Sequence, residues 1–423
     1  MNMYREIEAS QTLLINTQSK YLESTGEQIF KFGFGQSPFM PPARVVESLR
    51  KVAHDKSYTA VQGDLELRNL MAAFHKEHNG LEVLPDNIFV APGSKILLFN
   101  ILMAFENADV LIPSPAWVSY APQAKLAGHH LVKVKTTFEK RWRIHPEDIE
   151  EALRQKHHKA SILILNYPGN PDGLTYSREE LKELALCADR NDILVLSDEI
   201  YGLLNHNQSH YSFASFYPRK TITTTGLSKW CGAGGWRLGA AFLSESIDRK
   251  FKEAFLGIGS ETYSCAPAPV QQAAKSAYES YSAVENYLSW QNGILKSIGS
   301  YCAKQLAEVG LLVHPPEGGF YLFPDFSPHE ETLRKKGIET CNDLCSLILL
   351  ETGVALLPAS AFGFDDSCMA VRLAYVDFAP PDELISFYLE RDCPRVIEGI
   401  TRIKAWIRRL KSLVSPDSDE KEY

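Results

Sequence analysis

From about residue 42 to about residue 242 the chain alternates short apolar runs with longer amphipathic segments. The runs read NIFVAP, DVLIPSP, SILILNYP, DILVLSDE, KTITTTG and RLGAAFL, and none keeps a strict period of two. Continuous runs of this length fit strands buried on both faces, as in a parallel sheet covered by helices. The segments between them carry helical spacing. SREELKELALCADRN, for example, opens with Ser177 as N-cap and Glu180 three residues later, a capping box. The alternation predicts an α/β fold: a large domain with a mostly parallel sheet between helices.

Both ends of the chain read differently. The first thirty residues are mixed and polar and predict an arm or a helix, followed by a loop rich in Gly33, Gly35, Pro38, Pro41 and Pro42. Past about Asn292, helical and strand-like stretches alternate (KSIGSYCAKQLAEVG, GGFYLFPDF, TCNDLCSLILLETG, MAVRLAYVDF), the texture of a smaller α+β domain. Residues 395–413 predict a basic amphipathic helix with Ile400, Ile403, Ile407, Leu410 and Val414 on the apolar face, packed on its own domain. The organisation expected is an arm and part of the small domain at 1–45, the large domain at 46–292, the small domain at 293–413, and a disordered polar tail at 414–423.

Composition narrows the partners. The 423 residues are 45% apolar and 23% charged, as in an ordinary globular protein, and 44 basic against 52 acidic side chains give a net charge of −8. A net negative chain is poorly suited to nucleic acid. No apolar run approaches the roughly 18–20 residues that span a bilayer, so no membrane segment is expected. The absence of a secretory leader, and eight cysteines without a CxxC pair, point to the cytoplasm. The His129–His130 and His157–His158 pairs lack a second cluster at ligand spacing, so no metal site is expected. The segment 232–237 echoes a dinucleotide-binding glycine motif, but its sixth position is Arg237 and a strand-like run follows.

Ligands of open parallel sheets bind beyond the carboxyl ends of the strands. There the chain places Gly93-Ser94-Lys95 at a helix start, then Asn166 to Pro171, then Asp198-Glu199-Ile200-Tyr201, and finally Leu227-Ser228-Lys229 with Arg237 eight residues on. A helix N-terminus and a guanidinium suit a phosphate. A lysine in a partly dry cleft suits a Schiff base, and an aspartate can keep a heteroaromatic nitrogen protonated. Pyridoxal phosphate requires this set.

The strings Asn170-Pro171-Asp172-Gly173, Ser197-Asp198-Glu199-Ile200-Tyr201, and Ser228-Lys229 followed by Gly235-Trp236-Arg237-Leu238-Gly239 resemble those of fold-type I, class I/II aminotransferases of the aspartate aminotransferase group. The resemblance runs from FGFGQSPFMPP to VRLAY. It implies that Lys229 forms the cofactor aldimine and shuttles the proton, that Asp198 pairs with the ring nitrogen, and that Tyr201 and Asn170 bond the phenolic oxygen. It also implies that Trp117 stacks on the ring, while Ser94 and Lys95, both through their backbone, and Arg237 hold the phosphate. Tyr58 reaches the phosphate of a neighbouring subunit, which implies a homodimer with shared sites. Arg372 clamps the substrate α-carboxylate beside the Gly35 backbone. The Asn170–Pro171 bond resembles one that is cis in the family. One departure is Gly226, which stands where the family carries a phosphate-binding Ser or Thr; Thr225 and Ser228 are the hydroxyls nearby. The reaction implied is ping-pong transamination between an L-amino acid and a 2-oxo acid. A lyase or synthase on the same scaffold is the alternative. A ligand-binding regulator without turnover is disfavoured, because only about thirty residues precede the glycine loop.

Overall fold

The computed structural model describes residues 11–382 and 385–412. A short strand β1 (Phe30–Lys31) precedes seven strands that form one sheet: β2 (Ile88–Ala91), β3 (Ala108–Ser114), β4 (His130–Lys135), β5 (Ala160–Asn166), β6 (Leu194–Asp198), β7 (Thr221–Gly226) and β8 (Gly239–Leu243). Their order is β2-β8-β7-β6-β5-β3-β4. The neighbours from β7 to β4 are parallel, and β8 runs antiparallel to both β7 and β2. The chain thus has the α/β architecture its pattern predicts.

The apolar runs became strands because helices cover both faces of the sheet. Successive residues of β5 enter opposite cores. Ile162 and Ile164 pack with Leu97, Leu98, Ile101 and Leu102, whereas Leu163 and Leu165 pack with Leu181, Leu184 and Ala188. Burying each such side chain contributes roughly 1.5–3 kcal/mol. The helix Arg178–Arg190 behind that second face starts at the expected capping box: Glu180 N–H donates to Ser177 Oγ (3.2 Å) and Ser177 N–H to Glu180 Oε2 (2.6 Å). Strand β4 was not among the expected runs. It lies at the sheet edge, where Val132 and Val134 are buried while Lys133 and Lys135 face water, so its sequence alternates.

The remaining strands are β9 (Tyr321–Leu322), β10 (Val354–Ala355), β11 (Leu357–Pro358) and β12 (Val371–Ala374). β12 lies between β11 and β9 in an antiparallel sheet, and β1 pairs in parallel with β10. The N-terminal segment is thereby tied to the C-terminal part of the chain just before its Gly/Pro loop. A helix spans Gln11–Ser24 in the arm. The helix Glu285–Ala307 runs unbroken through position 292. The C-terminal helix Pro394–Ser412 buries Ile400, Ile403, Ile407 and Leu410 as expected, together with Val396 and Trp406. Val414 and the tail 414–423 lie outside the described residues. Among the described residues no helix is long and apolar enough to cross a membrane. One expectation is corrected: among the described residues the cis peptide bonds are Ser114–Pro115 and Tyr167–Pro168, so the bond preceding Pro171 is trans. Asn170 is held instead through its backbone N–H, which donates to Asn166 Oδ1 (2.8 Å).

Candidate active site

Strands β2, β5, β6 and β7 point the same way, and past their carboxyl ends opens a cavity of about 400 Å³. It is lined by Gly35, Ser94, Lys95, Trp117, Asn170, Asp198, Tyr201, Lys229, Arg237 and Arg372. Of the residues expected at the site, Tyr58 alone lies outside it, 90% exposed on this single chain.

At one end the chain builds an anion cradle. The helix Ser94–Met103 begins after Gly93, whose φ of 94° suits glycine. A Cβ on Gly93 would stand 2.1 Å from Arg237 Nη2, so only glycine lets the guanidinium lie against this turn. No side chain caps the helix, which leaves its first N–H groups and positive dipole end available. Arg237 holds a left-handed φ of 59° and donates to the carbonyls of Gly234 (2.8 Å) and Pro92 (3.2 Å). That conformation is strained for a non-glycine residue and recurs at functional sites. Burial, and then the neighbouring Arg237, lower the pKa of Lys95, whose Nζ stands 5.3 Å over the Trp117 ring. Gly226 has a packing reason. A Cβ there would meet Leu238 O at 2.6 Å and Gly239 Cα at 2.9 Å, both backbone, so no hydroxyl residue fits. Ser228 lines the cavity, whereas Thr225 lines a separate small cavity with His75 and His210.

In the middle lies Asp198, last residue of β6 and 3% exposed. Its Oδ2 accepts from Tyr120 Oη (2.7 Å) and its Oδ1 from Thr224 Oγ1 (3.1 Å). The Thr224 bond follows from register, since β6 and β7 set the two residues side by side. Burial pushes the Asp198 carboxyl up to about 6, against the lowering effect of those two bonds and of the Ile200 backbone N–H. A buried carboxylate with so few donors favours a cationic partner. Lys229 Nζ donates to Gly35 O (2.9 Å) and lies 5.4 Å over Tyr201 and 5.5 Å over Phe320.

At the other end Arg372, on β12, is 1% exposed. It donates to Asn170 Oδ1 (3.0 Å) and Gly33 O (2.6 Å), its Nε finds no partner, and Tyr321 and Phe362 flank it at 4.8 and 5.1 Å. Its hydrogen-bond acceptors are neutral, so burial lowers its pKa, partly offset by Tyr321 and Tyr201. Such a cation is costly without an anion. Sequence reasoning missed Tyr120, Thr224 and Tyr321, and it placed Asn166 at the strand end without giving it a role. Asn166 donates to Asp198 O (2.8 Å), and the hydroxyls of Tyr321 and Tyr201 lie 2.9 Å apart. The available signals were Tyr120 just after Trp117 in SPAWVSY and Asn166 as the final residue of its apolar run.

The family model "Aminotransferase class I and II" matches residues 27–385. The aspartate aminotransferase of Bacillus subtilis is 31% identical over 374 residues, 86% of this chain and 91% of that protein. The asparagine–oxo-acid transaminase of Streptococcus mutans is 29% identical over 423 residues, 96% of this chain and 98% of that one. The structure of Thermus thermophilus aspartate aminotransferase with maleate superposes with a TM-score of 0.82 at 26% identity, covering 95% of this chain and 100% of that chain. A match across most of the chain, on a fold that brings the expected groups to one cavity, has one reading: the chain belongs to the class I and II aminotransferases, which use pyridoxal phosphate to exchange amino groups between amino acids and 2-oxo acids.

Proposed function

We propose that pyridoxal phosphate binds in the cavity at the strand ends and that the preferred amino donor is acidic, aspartate foremost. The observation that carries the cofactor and transamination reading is the buried, anion-less Arg372 facing the cavity shared by Lys229 and Asp198, whereas the acidic donor is supported by the likeness to aspartate aminotransferases. The residues fit the cofactor: the Gly93 turn, the uncapped helix start at Ser94 and Lys95, and Arg237 suit its phosphate, and the buried Asp198 suits its ring nitrogen. Bound there, the cofactor supplies an aldehyde that condenses with amines and a ring that withdraws electrons from the adjacent carbon.

The protein's side chains do the rest. Arg372 binds the substrate α-carboxylate as a bidentate partner, with the Gly35 backbone and Asn170 beside it, and so orients the α-carbon. Lys229 Nζ would remove the α-proton and return it to the carbon on the far side of the amino nitrogen, acting as general base and then general acid. Asp198 holds the positive charge on the ring nitrogen. Tyr201 and Asn170 donate to the phenolic oxygen, Trp117 covers the ring face and excludes water, and Ser228 supplies the hydroxyl that Gly226 lacks. Lys95 has no hydrogen-bond or ion-pair partner for its ammonium among the described residues, and it adds positive charge at the phosphate end of the cavity, beside Arg237.

The exposed Tyr58 is read as completing the site of a second subunit, in a homodimer with shared sites. The chain divides into arm, large cofactor-binding domain and small domain, and its free cysteines suit the cytoplasm. The test is a panel of L-amino donors with 2-oxoglutarate as acceptor. Aspartate should give the highest kcat/KM, and Lys229→Ala should abolish turnover while circular dichroism stays that of the native enzyme. Substantial activity in Lys229→Ala overturns the assignment, and a preference for neutral donors overturns the substrate.

A further inference from the structure

Asp198 is followed by a second buried acid. Neighbouring residues at a strand end point to opposite sides, so Glu199 faces away from the active-site cavity. Its Oε1 accepts from Ser197 Oγ (2.8 Å), Ser212 Oγ (2.9 Å) and Phe213 N–H (3.1 Å), its Oε2 lies 2.8 Å from His210 Nε2, and Tyr167 Oη stands 3.4 Å from Oε1 while donating to Tyr211 O (3.1 Å). Four donors around one carboxyl group fit the ionised form, which is acceptor-only. Beyond His210 lies a small cavity lined also by His75, His78 and Thr223. Four buried polar atoms among these residues have no partner: His210 Nδ1, Thr223 Oγ1, and Nε2 of His75 and of His78. Burial holds both His75 and His78 at about 3, so both are neutral near pH 7. The cavity has room for roughly one water, and a polar cavity with several unmet partners is where a buried water resides.

We propose that Glu199 is a positioning residue for the cofactor: a fixed second negative charge behind Asp198, locked by His210, which donates to it from Nε2 and accepts at Nδ1 from one buried water beyond. The groups facing it are Asp198, Tyr167, His210 and, across the cavity, the neutral His75 and His78. The charge acts on Asp198 from behind and disfavours losing the proton that Asp198 and the ring nitrogen share. Glu199 is also among the causes that raise the Asp198 carboxyl.

The inference rests on pyridoxal phosphate binding over Asp198, and its test separates the two. Visible absorption of the wild-type holoenzyme is titrated with pH alongside Glu199→Gln and Glu199→Asp. If the wild type shows no bound chromophore, the binding-site reading itself fails. If it titrates, Glu199→Gln should lower the midpoint by about one unit while Glu199→Asp, which keeps the charge, stays near the wild type. A purely structural role would leave the midpoint of Glu199→Gln in place or move both variants equally, and either result overturns the proposal. Should Glu199→Gln not fold, a near-atomic-resolution structure of the wild-type holoenzyme decides. Equal Glu199 C–O lengths and a water within hydrogen-bond reach of His210 Nδ1 and Thr223 Oγ1 are expected. Unequal lengths or an empty cavity overturn the proposal.

Discussion

Replacing Arg372 by methionine separates what a residue does for the substrate from what it does for the fold. The guanidinium makes two hydrogen bonds, to Asn170 Oδ1 and Gly33 O, leaves Nε unpartnered, and is 1% exposed. Taking a charge out of water costs several kcal/mol, and bonds to neutral carbonyls return only part of that. Methionine removes both the bonds and the desolvation cost, so apoenzyme stability should change by no more than about 1 kcal/mol. Catalysis should suffer far more. Two charge-assisted bonds to the α-carboxylate contribute roughly 3–5 kcal/mol, so kcat/KM for aspartate should fall about 10²- to 10³-fold or further. A dicarboxylate ligand such as maleate, at a hundred times its dissociation constant, should stabilise the wild type by about 2.7 kcal/mol and leave Arg372→Met unmoved. Thermal unfolding with and without ligand, run beside steady-state kinetics, reads all three. If Arg372→Met keeps near-wild-type kcat/KM, or loses it only in step with a collapse in stability, Arg372 is a packing residue and the reasoning is refuted.

The other expectations follow from the same physics. Asp198 has its carboxyl raised from 3.8 to about 6 by burial, so in the apoenzyme its stabilising contribution is full below about pH 4 and lost as pH rises through 6. Apo Asp198→Asn should therefore exceed the wild type by up to about 3 kcal/mol above pH 6, with the gap closing below pH 4, while cofactor affinity falls; thermal unfolding against pH checks it. Gly226→Ser should not improve cofactor binding and should lose about 1–3 kcal/mol of stability to the backbone clash, whereas Ser228→Ala should weaken cofactor affinity several-fold in an absorbance titration. Lys95→Gln should weaken cofactor affinity in the same absorbance titration and affect aspartate and alanine alike, and a loss confined to aspartate would move Lys95 from the phosphate end to side-chain recognition.

The parts legible in the sequence were those where one physical demand dominates a stretch. Strands β5, β6 and β7, covered on both faces, spelled themselves as unbroken apolar runs, and the polar residues ending them had to lie at the ligand edge. Strand β4 escaped because an edge strand alternates and its lysines read as an amphipathic segment. Contacts set by tertiary register were also hidden. Thr224 meets Asp198 only once β7 lies beside β6, and Arg372 meets Asn170 across 202 positions of chain. The departure at Gly226 was visible as a letter, but its cause is the close approach of Leu238 and Gly239, which no local pattern encodes. The trans bond before Pro171 shows the limit of inference by resemblance, since Asn166 fixes Asn170 by a hydrogen bond instead.

The central claim is that Lys229, Asp198 and Arg372 make this cavity a transaminating one. The most direct test adds aspartate alone, with no acceptor, to the pyridoxal phosphate holoenzyme and follows its visible spectrum and products. Stoichiometric conversion of the cofactor to its amino form, with one equivalent of oxaloacetate per site and no further turnover until a 2-oxo acid is added, is the expected result. Continuous turnover of aspartate without an acceptor, or no spectral change, would contradict it.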